Sequence, residues 1–374
     1  MARVNVENLH VWYGKTHAAD DISLVVEDGE FCVFLGPSGC GKTTTLRSIA
    51  GLIRPDSGNI VIDGKIITKL YPGERDIAMV FQSYALYPHL TVAQHLAFPL
   101  EAKKFEPLII KQESKRIADL LGIGDILDRY PRQISTGQAQ RVAIGRALIR
   151  KPRVLLLDEP LNNLDVKLKL QTRAVLKRLQ RDLGITTIYV THDQEEAQSL
   201  ADKIIVMHNG RIQQSGSPMH IYDKPLNEFV AGFVGTPPMN FMRCTVRHVD
   251  HRSYLLGTAG FELHADNDLM ERLSGFQDDV EVTMGIRPER IKLMFTPDET
   301  KPLASLHVAE PEGNEVVVSV RLGGQIWKIR AEKHELGDQF ERDKPVNLAL
   351  DQHKIHLFDT ATGQRIEPVA ARVN

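Results

Sequence analysis

The first part of the chain alternates short apolar runs with stretches that carry helical spacing. Residues 31–35 and 154–157 are continuously apolar and lack the polar alternation of a half-exposed strand. Such runs are typical of parallel strands that are buried on both faces. Residues 185–190 and 203–207 fit further strands of the same sheet. The pattern therefore predicts an α/β domain that extends from residue 2 to about 215.

Two stretches depart from this alternation. Between about residues 84 and 150 the strand signal fades and helical spacing takes over, which predicts a helical insert. Beyond Gly235 the chain changes to short β-rich runs separated by Gly, Pro and Asp turns, which predicts a small all-β barrel or sandwich. We therefore predict two domains, at residues 1–235 and 236–374.

Composition and charge narrow the function classes. The chain has 374 residues, of which 42% are hydrophobic and 25% charged, so disordered and fibrous classes are excluded. A net charge of -2 provides no global positive field for nucleic acid, and we expect no nucleic-acid partner. The three cysteines form no CxxC pair, which favours a reducing compartment without structural zinc. No apolar run reaches membrane-spanning length, and residues 1–10 lack a signal core.

The strongest local motif follows the first apolar run. It fits G-x-x-x-x-G-K-[ST] and consists of Gly36, Pro37, Ser38, Gly39, Cys40, Gly41, Lys42 and Thr43, with Thr44 continuing into a helix. Glycines allow backbone N–H groups to point inward, and the helix N-terminus adds partial positive charge. Lys42 then reaches the β- and γ-phosphates of a nucleotide, and the Thr43 hydroxyl binds Mg²⁺. The alternative is a Gly-rich structural turn.

Two adjacent acids end the apolar run at 154–157. Asp158 lies where a metal beside the phosphate loop is expected, and Glu159 is placed to polarise an attacking water. The alternative is a solvated strand end, which is common for an isolated Asp-Glu pair. The phosphate loop upstream favours the functional interpretation.

Between these motifs, Ile134-Ser135-Thr136-Gly137-Gln138 resembles the signature of the ABC-transporter family, usually LSGGQ. The resemblance implies that Ser135, Thr136, Gly137 and Gln138 contact the γ-phosphate of an ATP bound to the opposite subunit, through a capped helix end. Ser135 as a plain helix N-cap is the alternative. The sequence departs from the pattern at Ile134 and at Thr136, which replaces a glycine.

Further motifs follow in the order of that family. By the resemblance, Gln82 contacts the metal or the water, Asp165 lies at a dimer seam, and His192 touches the γ-phosphate. By itself a Gln on a loop or a His after an apolar strand is more often structural, so the set of motifs carries the functional interpretation. Asn162 stands in the seam motif where the family usually has Ser.

Near the N-terminus, Val11-Trp12-Tyr13-Gly14 resembles the loop on which the family stacks adenine. Tyr13 is the predicted stacking residue. Trp12 is the alternative, and packing of both rings in the core is a third interpretation.

The C-terminal part is similar to the tail domain of maltose- and glycerol-phosphate-type importers, through residues 285–289 and 310–315. The resemblance implies a P-loop ABC cassette, with a RecA-like sheet domain and a helical subdomain, followed by an all-β OB-like regulatory domain. It implies ATP and Mg²⁺ as cofactors and a homodimer on the cytoplasmic face of the cell membrane. The expected partners are two integral-membrane permease subunits and, indirectly, an extracytoplasmic solute-binding protein.

Four questions stay open at this level. Polyamine, iron, sulfate and molybdate importers carry related tails, so sugar is an inference from the family alone. Residues 83–88, with Tyr84 and Tyr87 expected to be exposed, are the candidate permease-docking groove, or they pack within the insert. A soluble ABC ATPase that acts on DNA or ribosomes is a second class, but the 82–135 interval leaves no room for a coiled-coil arm. The tail is also compatible with a docking module for a cytosolic regulator.

Overall fold

The computed structural model describes residues 2–336 and 340–367. Its residues form two compact units, Met1–His220 and Ile221–Asn374. The predicted domain boundary at residue 235 stays a prediction, since it rests on the change in sequence character. No helix among the described residues is both long and apolar enough to cross a membrane.

The first unit contains ten strands in two sheets. They are β1 Val4–Tyr13, β2 Thr16–Val26, β3 Phe31–Leu35, β4 Ser57–Ile62, β5 Lys65–Ile66, β6 Ile77–Val80, β7 Val154–Asp158, β8 Thr186–Thr191, β9 Lys203–His208 and β10 Arg211–Gly216. Its helices are α1 Lys42–Ala50, α2 Val92–Glu101, α3 Pro107–Leu121, α4 Thr136–Leu148, α5 Val166–Leu183 and α6 Gln194–Leu200, and α7 Pro218–Asp223 spans the division between the units.

The larger sheet has the order β10-β9-β3-β8-β7-β6. All its pairings are parallel except that of β9 with β10. Every residue of β3, β7 and β8 is buried, which explains why the sequence shows continuous apolar runs there instead of alternation. The predicted α/β fold is confirmed.

A second sheet of the first unit, with the order β2-β1-β4-β5, is antiparallel throughout. Strands β1 and β4 bury one face and expose much of the other, so their apolar residues are interrupted by polar ones. The pattern of continuous apolar runs did not separate this sheet from the parallel one.

Between β6 and β7, the described structure consists of α2, α3, α4 and short 3₁₀ turns, in agreement with the helical insert expected at about 84–150. Leu96, Ile117 and Leu121 are buried there, and a Cβ built on Gly145 would lie within about 3 Å of all three. The small residue therefore lets α4 pack closely against α2 and α3.

The second unit is mainly antiparallel β-structure, in two five-stranded sheets with the orders β13-β12-β11-β14-β20 and β15-β19-β16-β17-β18. Trp327 is fully buried in the common core of the two sheets, where its large ring supplies much of the apolar contact. The strands are β11 Asn240–Val249, β12 Arg252–Gly257, β13 Glu262–His264, β14 Glu281–Ile286, β15 Ile291–Met294, β16 Leu303–Glu312, β17 Glu315–Leu322, β18 Gln325–Glu332, β19 Pro345–Leu350 and β20 His356–Asp359, with helices α8 Glu228–Phe233, α9 Asn267–Leu273 and α10 Lys333–Leu336.

Candidate nucleotide site

The strand order of the larger sheet brings four motifs to one edge. The phosphate loop follows β3, His192 follows β8, Glu159 follows β7 and Gln82 lies just after β6. These four strands are neighbours and parallel, so their carboxyl ends lie side by side. This edge is where open α/β sheets bind ligands.

The phosphate loop needs glycine at two positions because other chain segments approach it closely. A Cβ on Gly36 would lie 2.3 Å from the Met207 carbonyl oxygen, and one on Gly41 would lie 2.3 Å from that of Ala18. Gly41 also has a φ of 102°, which only glycine adopts without strain. The loop is therefore held tightly between the two sheets of this unit at the start of α1.

Lys42 is buried and turns back over its own loop. Its Nζ donates hydrogen bonds of 2.8 Å to the carbonyl oxygens of Gly36 and Pro37. It also lies 3.8 Å from Sγ of Cys40, a thiol whose pKa burial raises. Ser38 and Gly39 at the loop tip are exposed, whereas Thr44 is half-buried. A buried ammonium held only by carbonyl dipoles is ready to bind an anion.

Thr43 and Asp158 meet as predicted. The Thr43 hydroxyl donates to Oδ1 of Asp158 at 2.9 Å, and Arg47 Nη2 lies 3.3 Å from Oδ2. The hydroxyl and the carboxylate form a pair of hard oxygen donors, which is the ligand set that Mg²⁺ prefers, so these residues fit the ion. The Arg47 contact was not predicted, because a lone arginine one turn into α1 carries no motif.

Glu159 is the centre of a polar cluster. Its backbone has a φ of 45°, a strained value for a non-glycine residue, and its N–H donates to the Val190 carbonyl oxygen at 3.1 Å. Gln82 Nε2 lies 3.4 Å from Oε2, and His192 Nδ1 lies 3.6 Å from Oε1. The three residues predicted to be catalytic therefore lie together.

Asn162, which stands in the seam motif where the family usually has Ser, donates its side-chain amide to Oε2 of Glu159. Asn163 also contributes a contact, from Nδ2 to the main-chain oxygen of Gln82 at 3.4 Å. Asn162 thus helps to orient the Glu159 carboxylate. Gln82 contacts Glu159 in this arrangement, and its role as a metal ligand stays a prediction.

The signature motif forms the N-terminus of α4. Ser135 Oγ accepts from the Gln138 N–H at 3.3 Å, while Gln138 Oε1 accepts from the Ser135 N–H at 2.9 Å, a reciprocal capping box. Ser135 and Thr136 are exposed, whereas Gly137 is buried against Leu168. Within the described residues, no hydrogen bond or ion pair joins this motif to the phosphate loop.

Two further predicted residues lie apart from the Glu159 cluster. Asp165 caps α5 by accepting from the Leu168 N–H at 3.0 Å, and its side chain is exposed. Tyr13 and Trp12 are 52% and 47% exposed, which excludes the interpretation that both rings belong to the core. The Trp12 ring stacks on His17 with centroids 3.8 Å apart, and this leaves Tyr13 as the better-placed ring for a base.

The predicted docking segment lines a groove of about 570 Å³ with Phe98, Arg146 and Arg150. Arg146 donates to the carbonyl oxygens of Ala85 at 2.7 Å and Tyr84 at 3.0 Å, and its guanidinium lies 5.7 Å from the centre of the Tyr87 ring. Tyr87 is exposed as expected. The expectation for Tyr84 was wrong: its side chain is buried, because its backbone turns inward at a φ of 59°.

Matches to known families and to related proteins cover most of the chain. Residues 19–162 match the ABC transporter family model, 235–291 match the MalK OB fold domain, and 284–358 match the TOBE domain. The trehalose/maltose import ATP-binding protein MalK of Thermococcus litoralis is 46% identical, over 98% of this chain and 100% of that protein. The oligosaccharides import ATP-binding protein MsmX of Bacillus subtilis is 41% identical, over 98% and 100%.

A solved structure supports the same assignment for the first unit. The ATP-binding cassette MJ0796, in a dimeric post-hydrolysis state bound to ADP and phosphate, matches with a TM-score of 0.52 and 30% identity. The match covers 57% of this chain and 98% of that one. The chain therefore belongs to the ABC transporter family, as an ATP-binding importer subunit whose ATPase activity is coupled to transport.

Proposed function

We propose that this subunit energises the uptake of a sugar or a sugar-like solute. The relatives named above import trehalose and maltose or oligosaccharides, and a third, UgpC of Cupriavidus pinatubonensis, imports sn-glycerol-3-phosphate at 40% identity over 98% of this chain. The observation that carries the mechanism is the contact of Gln82, His192 and Asn162 with one carboxylate, Glu159.

In this mechanism Lys42 binds the β- and γ-phosphates from the base of the loop, where its carbonyl contacts already hold the ammonium in place. Glu159 accepts a proton from the attacking water. Its strained backbone and its neighbouring donors fix the carboxylate, so little reorganisation is needed when the water attacks. His192 contacts the γ-phosphate, and Tyr13 stacks on the base.

Thr43, Asp158 and Gln82 would hold Mg²⁺, which supplies positive charge that neutralises the phosphate oxygens when bound. Arg47 contacts Oδ2 of Asp158 while the Thr43 hydroxyl binds Oδ1, so the two side chains orient the carboxylate. The protein thereby prepares an oxygen-lined position beside the phosphate loop.

Two copies of the chain are proposed to complete each ATP site. Ser135 and Thr136 are exposed at the N-terminus of α4, and a helix N-terminus attracts anions. A second subunit would present its own phosphate loop to this end, with Asp165 at the seam. The dimeric state of the cassette MJ0796 supports this arrangement.

The groove beside Tyr87 is proposed to receive a cytoplasmic segment of a permease, with two permease subunits per dimer at the cytoplasmic face of the cell membrane. Arg146 supports this role because it lies on α4, the helix that Ser135 caps, and holds the carbonyl groups of Tyr84 and Ala85. A movement of α4 on ATP binding would therefore shift the groove lining. An extracytoplasmic solute-binding protein is the expected indirect partner.

The test is functional replacement of a relative. The chain is expressed in Bacillus subtilis without MsmX, and uptake of a labelled oligosaccharide is measured together with ATP hydrolysis by the purified protein. Uptake with this chain, and none with Glu159→Gln, is the expected result. The proposed cargo would be contradicted if the chain hydrolysed ATP but supported no sugar uptake, both in place of MsmX and in other sugar importers.

A further inference from the structure

A polar cavity of about 420 Å³ lies within the second unit. Its volume falls in the range of small-molecule sites. Lysine and arginine side chains outnumber carboxylates around it: the basic residues are Lys224, Arg272, Arg287, Arg290, Lys354 and Arg365, and the acidic ones are Asp223, Asp268, Glu289 and Glu367. The cavity therefore carries local positive charge in a chain whose net charge is -2.

Arg287 is the most buried of these cations, with 3% of its surface exposed. Its two terminal nitrogens donate to the carbonyl oxygens of Ala231, Val234 and Tyr222, and its Nε has no partner among the described residues. No described carboxylate lies within ion-pair distance of it, although buried charges are normally paired. Carbonyl oxygens, and no described carboxylate at ion-pair distance, therefore hold this guanidinium.

Arg272 shares part of this arrangement on the same cavity. Its terminal nitrogens lie 2.6 Å from the Ile355 carbonyl oxygen and 3.4 Å from that of Gln352, and it also forms a long ion pair of 3.8 Å with Asp268. Carbonyl dipoles satisfy the hydrogen-bonding groups of a guanidinium but do not cancel its full charge. Arg290 and Arg365 have carboxylate partners as well, so Arg287 is the buried arginine of this cavity that has no described carboxylate at ion-pair distance.

His356 lies among these cations. Burial and, to a smaller extent, the positive charges of Arg365, Arg287, Arg272 and Lys354 together lower its pKa to about 4. No carboxylate among the described residues lies at ion-pair distance from the ring, so the imidazole is neutral at neutral pH. The lowered pKa of His356 agrees with the excess of basic side chains around the cavity.

We propose that this cavity binds a phosphorylated sugar or polyol, with the dianionic phosphate against the arginines and the hydroxyl groups against Asp268 and Glu289. Arginine is suited to phosphate because its planar fork binds two oxygens at once. The cavity is larger than phosphate alone requires, and the carboxylates are acceptors for sugar hydroxyls. This site goes beyond the proposed function, since it uses none of the nucleotide residues.

The experiment is calorimetric titration of the full chain with glucose 6-phosphate, with a saturating non-hydrolysable ATP analogue present so that both the phosphate loop and the γ-phosphate position are already occupied. Glucose and inorganic phosphate are the matched probes, and ionic strength is held constant. The expected order of affinity is glucose 6-phosphate, then phosphate, with no binding of glucose. Equal binding of glucose, or no binding of either phosphate compound, would overturn the proposal.

Variants separate a specific site from general attraction. Arg290→Gln, on a half-exposed side chain, should weaken glucose 6-phosphate binding at least about tenfold, as expected for a lost charge-assisted hydrogen bond. Arg272→Gln should weaken it similarly. Arg252→Gln, at an exposed residue of β12 outside the cavity, is the control and should leave binding unchanged. Equal weakening by all three variants would indicate nonspecific attraction and contradict the proposal.

A spectroscopic measurement does not depend on these variants. The His356 signal, assigned by its loss in His356→Gln, is titrated by NMR with and without glucose 6-phosphate. Because a bound dianion offsets the surrounding arginines, the pKa of His356 should rise toward its ordinary value when the ligand is present. Tight binding without any change in this pKa would place the ligand elsewhere and overturn the assignment.

Discussion

The two units differ in how their chemistry is assembled. In the first, the phosphate loop, Gln82, Glu159 and His192 each lie at or just beyond the carboxyl end of a strand in one parallel sheet. In the second, the cavity takes side chains from α9, from β20 and from the segments between elements, and of these only Arg287 and Glu289 lie in a segment that the sequence pattern singled out. A site built from strand ends can be recognised along the chain, whereas one built from scattered cations is visible only after folding.

The largest expected effect tests the first unit. Glu159→Gln removes the group that accepts the water proton, and ATP hydrolysis should fall by about 10³-fold, within the range of lost general-base catalysis. ATP binding should remain, and size-exclusion chromatography with ATP should show a trapped dimer.

The control for this variant is Glu101→Gln, at an exposed residue of α2, which should hydrolyse ATP normally. If the units act as separate sites, Glu159→Gln also leaves glucose 6-phosphate binding unchanged. Wild-type hydrolysis rates in Glu159→Gln would show that another group activates the water.

Lys42→Ala should produce the next largest effect. Loss of the ammonium removes charge-assisted hydrogen bonds to the phosphates, so the Kd for ATP should rise by about 10- to 100-fold. Titration with a fluorescent ATP analogue measures this change. Lys65→Ala, in the exposed strand β5, removes the same charge and should bind ATP as the wild type does; equal weakening in both variants would point to a general charge effect.

The next prediction concerns the second unit, whose free energy of unfolding should depend on pH through His356. His356 has a folded pKa of about 4 and an ordinary unfolded value near 6.5, so on acidification the unfolded state takes up the proton first. Its contribution is fully present above about pH 6.5 and is lost as the pH falls toward 4, by on the order of 2 to 3 kcal/mol.

The free energy of unfolding is measured from the fluorescence of the buried Trp327. A Trp12→Phe background removes the signal of the other tryptophan. His356→Gln is the comparison, since glutamine does not titrate. The wild type should lose more stability than this variant between pH 6.5 and 4. Parallel curves for the two proteins would show that burial and the nearby cations do not lower the pKa of His356 in the folded state.

The smallest expected effect concerns the departure from the signature motif. Thr136 is exposed in the first turn of α4, and the adjacent Gly137 already provides the close contact with Leu168. Thr136→Gly should therefore change ATP hydrolysis by no more than a few-fold, since exposed substitutions alter free energies by about 0.5 kcal/mol. A large loss in a steady-state assay would mean that the threonine hydroxyl contacts the nucleotide directly.

Several expectations from the sequence agree with the structure because they depend on local pattern. The apolar runs at 31–35 and 154–157 are buried strands, and Ser135 caps a helix through Gln138. The burial of Tyr84 could not be predicted, because it depends on a left-handed backbone held by Arg146, 62 positions away. The contact of Asn162 with Glu159 was likewise not predicted, since it depends on the turn after β7.

By itself the sequence determined the elements and the chemical groups of the nucleotide site, because continuous burial and phosphate binding each impose a short-range pattern on the chain. The tertiary structure alone decided which groups meet. It placed Gln82 and His192 on Glu159 through the strand order, and it gathered Arg272, Arg287 and His356 around one cavity. The physical reason is that charges act through space, so a potential formed by residues far apart in the chain exists only after folding.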